Sequence, residues 1–391
     1  MNVLVCPPTL SIGGSQQNAI DLGAAIAERG HEVTILAPPG PLEHGVWARG
    51  MRMVPLDLRG RSRPAINGMR AMRRIVRRED VDVVHAYESA AGIEAFFGGE
   101  VALGVPTVVS VMSMTVPRRF PRSVPIIVGT ELLRRECTRR RHRSVMVLEP
   151  PIDTRSDRPS VDGDAFRIAH GLEDDELVLV VVSRLARQLK LEGLELTIDA
   201  MSTLAKELPA RLFIVGDGPE SSRLAARAQD VNRRVGRAAV VLLGATVDPR
   251  PAYASADVVL GMGGSILRGM AFGKPAVVLG GNGFWRIVTP RTVDLFLDQG
   301  FYGIGHGRDV EGFASSLTEL ARDADMRREL GTFAARLVRD RFSLTGAAAT
   351  LEGFYLDARR RPMRPPVGEV ARVGAWVAGF KTKQRLARVL G

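Results

Sequence analysis

The stretch Val182-Ser183-Arg184-Leu185-Ala186-Arg187-Gln188-Leu189-Lys190 sets cations directly after an apolar, strand-like run. Arginine can fork onto two phosphate oxygens and lysine adds a compact charge, so Arg184 and Lys190 suit a diphosphate leaving group. Positive charge at a helix start opposes the helix dipole, which argues against a purely structural role. A second stretch, Leu260-Gly261-Met262-Gly263-Gly264-Ser265, has glycines that open a helix, so the amides of Gly263, Gly264 and Ser265 are candidates to cradle the same phosphates. Gly13-Gly14 lies between the first strand and the first helix. It is not GxGxxG, and Ala37-Pro38-Pro39 offers no acidic ribose partner after the second strand. Gly216-Asp217-Gly218-Pro219 reads as a tight turn. His85 closes a strand, where a neutral imidazole serves either as a hydroxyl contact or as a satisfied structural residue. Glu88, three residues on, is a weaker candidate for which surface placement is favoured.

These residues need strand ends to carry them. Val3–Cys6, Glu32–Ala37, Val81–His85, Thr107–Val111 and Ile126–Val128 read as strands, and Gln16–Arg29 as a helix capped by Ser15 and closed by Gly30. After a proline- and aspartate-rich stretch from Leu148 to Asp164, read as a linker, the pattern restarts. Strands are expected at Leu177–Ser183, Arg211–Val215, Ala239–Leu243, Val258–Leu260 and Pro275–Leu279. The alternation predicts an α/β protein with two Rossmann-like domains, residues 1–155 and 165–345, and a ligand cleft at their strand ends. Residues 346–391 are expected to form a helical segment with a basic amphipathic tail. That tail carries Trp376, Val377, Phe380, Leu386, Val389 and Leu390 among Lys381, Lys383, Arg385 and Arg388. Packing of the tail on the protein itself is the preferred reading, with membrane attachment as the alternative.

At 391 residues the chain exceeds what one core usually supports. Its 54 Lys+Arg against 43 Asp+Glu favour anionic partners. Arginines gather at Arg70–Arg78, Arg118–Arg122 and Arg134–Arg143; a solvated surface explains them most simply, ahead of contact with an anionic membrane or an acidic acceptor. Nucleic acid is disfavoured, because these clusters lack interleaved aromatics. The two cysteines, Cys6 and Cys137, give neither a disulfide framework nor metal spacing. Without a leader pattern or a long apolar run, a cytoplasmic protein is expected, with peripheral attachment to the inner membrane face as the variant.

Several segments together resemble the retaining glycosyltransferase family 4 of the glycosyltransferase B (GT-B) fold. They are Gly13-Gly14, Val83-Val84-His85, Pro150-Pro151-Ile152-Asp153, Ser183-Arg184-Leu185 with Lys190, Gly216-Asp217-Gly218-Pro219, and Leu267-Arg268-Gly269-Met270-Ala271-Phe272-Gly273-Lys274-Pro275. The resemblance implies a metal-independent, cofactor-free transfer of a sugar from a nucleotide diphosphate, UDP or GDP being expected, to a small-molecule or glycan acceptor. Arg184 and Lys190 would hold the diphosphate, with His85 as a further catalytic candidate. Gly14, Gly216, Gly261, Met262, Gly263, Gly264, Ser265 and Arg268 would face the donor, and Glu88 and Met112 the acceptor. The chain departs from the family pattern at its paired glutamates, which are Leu260 and Arg268 here. It departs also at Met112, where a histidine is usual, at the acid replaced within Gly281–Arg286, and at Lys190, which comes one residue later than usual. A divergent transferase is the expectation; a silent nucleotide-sugar-binding subunit and a sugar-nucleotide epimerase are the alternatives.

Overall fold

The computed structural model describes residues 1–56, 64–305, 310–360 and 364–389, with the side chains of 310–311 and 380–389 outside the description. Contacts divide the chain into two units: Met1–Pro151 with Leu344–Gly391, and Ile152–Ser343. The last helices therefore belong with the first unit rather than forming a separate segment. The stretch read as a linker begins the second unit. Ile152 donates its N–H to the Phe342 carbonyl at 2.7 Å and bridges to Ser343, so the chain enters and leaves that unit at adjacent points.

Unit 1 holds a seven-stranded sheet in the order β3-β2-β1-β4-β5-β6-β7. Its strands are β1 (Asn2–Cys6), β2 (Glu32–Ala37), β3 (Arg52–Pro55), β4 (Val83–Tyr87), β5 (Thr107–Val111), β6 (Ile126–Val128) and β7 (Val145–Val147), all parallel. Unit 2 holds a six-stranded sheet, β10-β9-β8-β11-β12-β13. These are β8 (Leu177–Val182), β9 (Ala210–Val215), β10 (Val240–Gly244), β11 (Val258–Gly261), β12 (Ala276–Leu279) and β13 (Trp285–Ile287), the last antiparallel to its neighbour. Central strands such as β8, Leu-Val-Leu-Val-Val-Val, are apolar along their length because helices cover both faces of the sheet.

Both sheets reverse their strand order once, between β1 and β4 in unit 1 and between β8 and β11 in unit 2. Ligands of such sheets bind beyond the carboxyl ends of the strands at that reversal. In unit 2 the segments leaving β8 and β11 are those that begin Ser183-Arg184 and Met262-Gly263. The helix Val367–Val389 buries Val373 and Val377 against the unit-1 core, with Trp376 packed beside them. The other tail residues read from the sequence, from Phe380 onward, have side chains outside the described residues. No helix among the described residues is long and apolar enough to cross a membrane.

Candidate active site

The unit-2 site is built by backbone packing before any side chain enters it. Ser183 N–H donates to the Val215 carbonyl at 3.0 Å and Leu185 N–H to the Asp217 carbonyl at 2.9 Å, which pins the Arg184 turn to the loop after β9. That approach requires glycine: a Cβ on Gly216 would lie 1.9 Å from the Ser183 carbonyl oxygen, and one on Gly218 2.3 Å from that of Leu185. Gly216 also has φ +141° and gives its own amide to the Gly244 carbonyl at 2.7 Å. Its role is therefore to position the arginine turn, as the tight-turn reading has it, and its own N–H is engaged within the sheet end rather than turned to a donor.

Arg184 is exposed at the end of β8, and Lys190 is half-buried a few residues on. Between them the backbone breaks at Gln188 and Leu189, with Leu189 at φ 66° and ψ −19°, so regular helix begins only at Lys190. A non-glycine residue in the left-handed region is strained, and such strain concentrates at functional positions. Burial, and then the neighbouring Arg184 guanidinium, hold the Lys190 ammonium below the ordinary lysine range. Among the described residues neither side chain has a hydrogen-bond or ion-pair partner. Two cations close enough to repel, with no carboxylate between them, form a site short of an anion.

The loop after β11 supplies amides beside them in the topology. Gly263 caps the helix Gly264–Ala271 at φ 61° and ψ −142°, with no side chain filling the cap. Its own N–H is taken by the Phe301 carbonyl at 2.6 Å, so of the three amides read from the sequence only Gly264 and Ser265 remain as helix-opening donors. Ser265 turns its hydroxyl back onto the Met262 carbonyl at 2.9 Å, and the Met262 side chain is buried. Gly269 lets this helix lie close on the sheet, since a Cβ there would meet Val259 at 2.8 Å. Leu260, in place of a glutamate, is buried in the core.

Arg268 was expected to face the donor. Instead its Nε donates to Oδ2 of Asp157 at 2.7 Å, and Asp157 is 2% exposed. The guanidinium charge is thus balanced within the protein by a residue that no sequence motif singled out.

In unit 1 the expectation for His85 is overturned. The ring is fully buried, its Nδ1 2.6 Å from the Tyr355 hydroxyl and its Nε2 2.8 Å from that of Ser110. Burial alone pushes its pKa down to about 3. A neutral imidazole with both nitrogens satisfied inside the core is structural, and it is not placed to touch a substrate. Glu88, at φ 66°, spends both carboxylate oxygens on the loop after β5, accepting from Met112 N–H, Ser113 N–H and the Ser113 hydroxyl at 3.1, 3.2 and 2.8 Å. Met112 in turn lies 3.6 Å, sulfur to Nδ2, from Asn18. Glu88 and Met112 are therefore brought together, near the helix that Gly14 begins. Ser15 does not cap that helix: Gly13 is the capping position, and the Ser15 hydroxyl is buried without a partner.

Comparison with known proteins places this geometry in a family. The family model described as Glycosyltransferase Family 4 matches residues 12–156, and that described as Glycosyl transferases group 1 matches residues 176–323. N-acetyl-alpha-D-glucosaminyl L-malate synthase of Bacillus anthracis is 21% identical over 91% of this chain and 97% of its own length. A glycosyltransferase from Rickettsia africae aligns over 92% of this chain and 99% of its own, with TM-score 0.74 and 14% identity. Anabaena HepE in complex with UDP aligns over 91% and 100%, with TM-score 0.70 and 16% identity. With one family model on each unit and the same fold in its structural neighbours, the chain belongs to the family 4 glycosyltransferases of GT-B fold.

Proposed function

We propose that the protein transfers a sugar from a nucleotide diphosphate to an acceptor hydroxyl, with the donor diphosphate held in unit 2 by Arg184, Lys190 and the amides of Gly264 and Ser265. The observation that carries this reading is the pair of unpartnered cations at the strand-order reversal of that sheet. HepE, with the same fold, is known in complexes with UDP and with UDP-glucose, which supports a nucleotide-sugar donor. The malate-linked product in the name of the Bacillus anthracis relative supports a small hydroxyl-bearing acceptor.

In this mechanism the bond between the sugar's anomeric carbon and the diphosphate oxygen breaks. Charge gathers on that oxygen, and fixed cations and amide dipoles stabilise it without reorganising. The acceptor oxygen forms the new bond and its proton passes to the departing phosphate. Retention of configuration follows the family resemblance. The second reading, a silent nucleotide-binding subunit, is favoured by Leu260 and by the neutralised Arg268. Thermal-shift measurements with UDP, GDP, TDP and ADP test the donor assignment, because a ligand of the native state raises apparent stability by mass action. A selective rise with one nucleotide is expected; no rise with any of them would overturn it. Turnover of the matching nucleotide sugar then separates transferase from silent subunit.

A further inference from the structure

One face of the unit-1 sheet carries a cationic surface that the proposed donor site does not use. The helices Ile66–Arg78 and Glu131–Arg139 and the start of Val367–Val389 cover this face, packing on Met72, Leu133, Cys137 and Val373. Arg118, Arg119 and Arg122 are exposed on the segment after β5, and Arg139, Arg141 and Arg143 around the turn before β7. The backbone joins the two segments, since Arg143 N–H donates to the Arg122 carbonyl at 3.0 Å. Two further guanidinium groups brace them: Arg140 donates to the Val116 carbonyl at 2.7 Å and Arg372 to that of Arg119 at 3.1 Å.

Among the described residues none of those six exposed side chains has a carboxylate partner. The nearby acids are committed elsewhere: Glu131 to Arg134, Glu136 to Arg140, and Glu369 to the Arg122 and Ser123 amides and to Arg372. The resulting field reaches the interior. His142, buried beneath the turn, is pushed down to about 4, first by burial and then by the charge of Arg122. The same helices expose single aliphatic side chains, Ile66, Leu132 and Val367, and among the described residues none of the exposed large apolar side chains on them is aromatic.

We propose that this face docks on an anionic phospholipid bilayer. Unpaired guanidinium groups fork onto phosphodiester oxygens, and scattered aliphatic side chains enter the headgroup boundary. Nucleic acid is the poorer match, because among the described residues of this face no exposed aromatic side chain offers bases a surface to stack on.

The test is co-sedimentation of the full chain with vesicles of equal parts phosphatidylglycerol and phosphatidylcholine, with pure phosphatidylcholine vesicles and a single-stranded RNA as parallel arms. Binding to the anionic vesicles that high salt releases, with little to phosphatidylcholine, is expected. The variant Arg118→Ser/Arg119→Ser/Arg143→Ser should lower that partition roughly tenfold or more. A control variant in unit 2, Arg158→Ser/Arg291→Ser/Arg336→Ser, removes equal charge and should leave it within about twofold. Both variants are first required to unfold at the wild-type temperature; if the triple does not, Arg119→Ser alone is used and a smaller drop is expected. Equal binding to neutral vesicles, equal loss in both variants, no vesicle binding at low salt, or RNA binding that responds to the first variant while vesicle binding does not would each overturn the proposal.

Discussion

Arg268 donates from Nε to the buried Oδ2 of Asp157 at 2.7 Å, across 111 residues of sequence. The pair ties the segment that opens unit 2 to the helix bearing the glycine-rich loop. Burial nevertheless leaves the Asp157 carboxyl above its ordinary value, even with the guanidinium acting against that rise. Removing one partner strands a desolvated charge, whereas removing both does not. Arg268→Met is therefore expected to cost about 2–3 kcal/mol, less than a fully buried pair because Arg268 is partly exposed. The double variant Arg268→Met/Asp157→Leu should recover most of it in chemical denaturation. Additive losses would show that the two residues act independently.

His85 makes the protein sensitive to acid. Its folded value of about 3 lies below the ordinary 6.5, so between those limits the unfolded chain binds the proton more tightly. Stability is full above 6.5 and falls as pH drops through that window, by something on the order of 3–5 kcal/mol at its lower end. His85→Gln should flatten the decline in unfolding temperature between pH 6.5 and 4 while leaving nucleotide affinity at pH 7 unchanged. A large loss of affinity would return His85 to the site.

Lys190 carries a conflict between stability and binding. Its lowered pKa means that the unfolded chain holds the proton better, so at neutral pH the charge works against the ligand-free fold, and the penalty fades as pH rises. Lys190→Met is expected to raise the unfolding temperature of the ligand-free protein and to weaken nucleotide binding by roughly tenfold or more. In the wild type, affinity should decline as pH climbs through the Lys190 value, which lies below 10.5. A variant that is both less stable and equally tight would contradict this.

Gly216→Ala would put a methyl group where the Ser183 carbonyl lies 1.9 Å away, at a φ of +141° that side chains rarely adopt. An expected destabilisation of about 3 kcal/mol or more follows from strain and overpacking together. Nucleotide affinity should fall with it, because the displaced carbonyl belongs to the residue before Arg184. Unfolding midpoints and a titration on the same sample check both parts.

Much of this architecture was legible from residue order. Glu32–Ala37, Thr107–Val111 and Ile126–Val128 are strands over the ranges expected, and the apolar runs of unit 2 lie within a residue of theirs. The strands that escaped are short or half-exposed, such as β3, which ends in Pro55, and β7. β13 has a local signal in Asn282-Gly283, which at φ 55° and 67° forms the hairpin turn after β12. The Arg184 and Gly263 turns were legible because strand, loop and helix follow one another in sequence. The Asp157 partner, the Phe301 carbonyl on Gly263 and the Tyr355–His85 contact were not, since each joins residues far apart in the chain. His85 misled because it reads as the end of an apolar strand, whereas β4 runs on through the buried Ala86 and Tyr87 and leaves the histidine in mid-strand.

The central claim is that Arg184 and Lys190 wait for a diphosphate. Calorimetric titration of the preferred nucleoside diphosphate into wild type and Arg184→Ala tests it most directly. Arg184 is exposed and unpartnered, so the substitution should leave the unfolding temperature in place while weakening affinity by roughly 10- to 100-fold, the loss of a charge-assisted contact. Equal affinity in the two proteins would contradict the account.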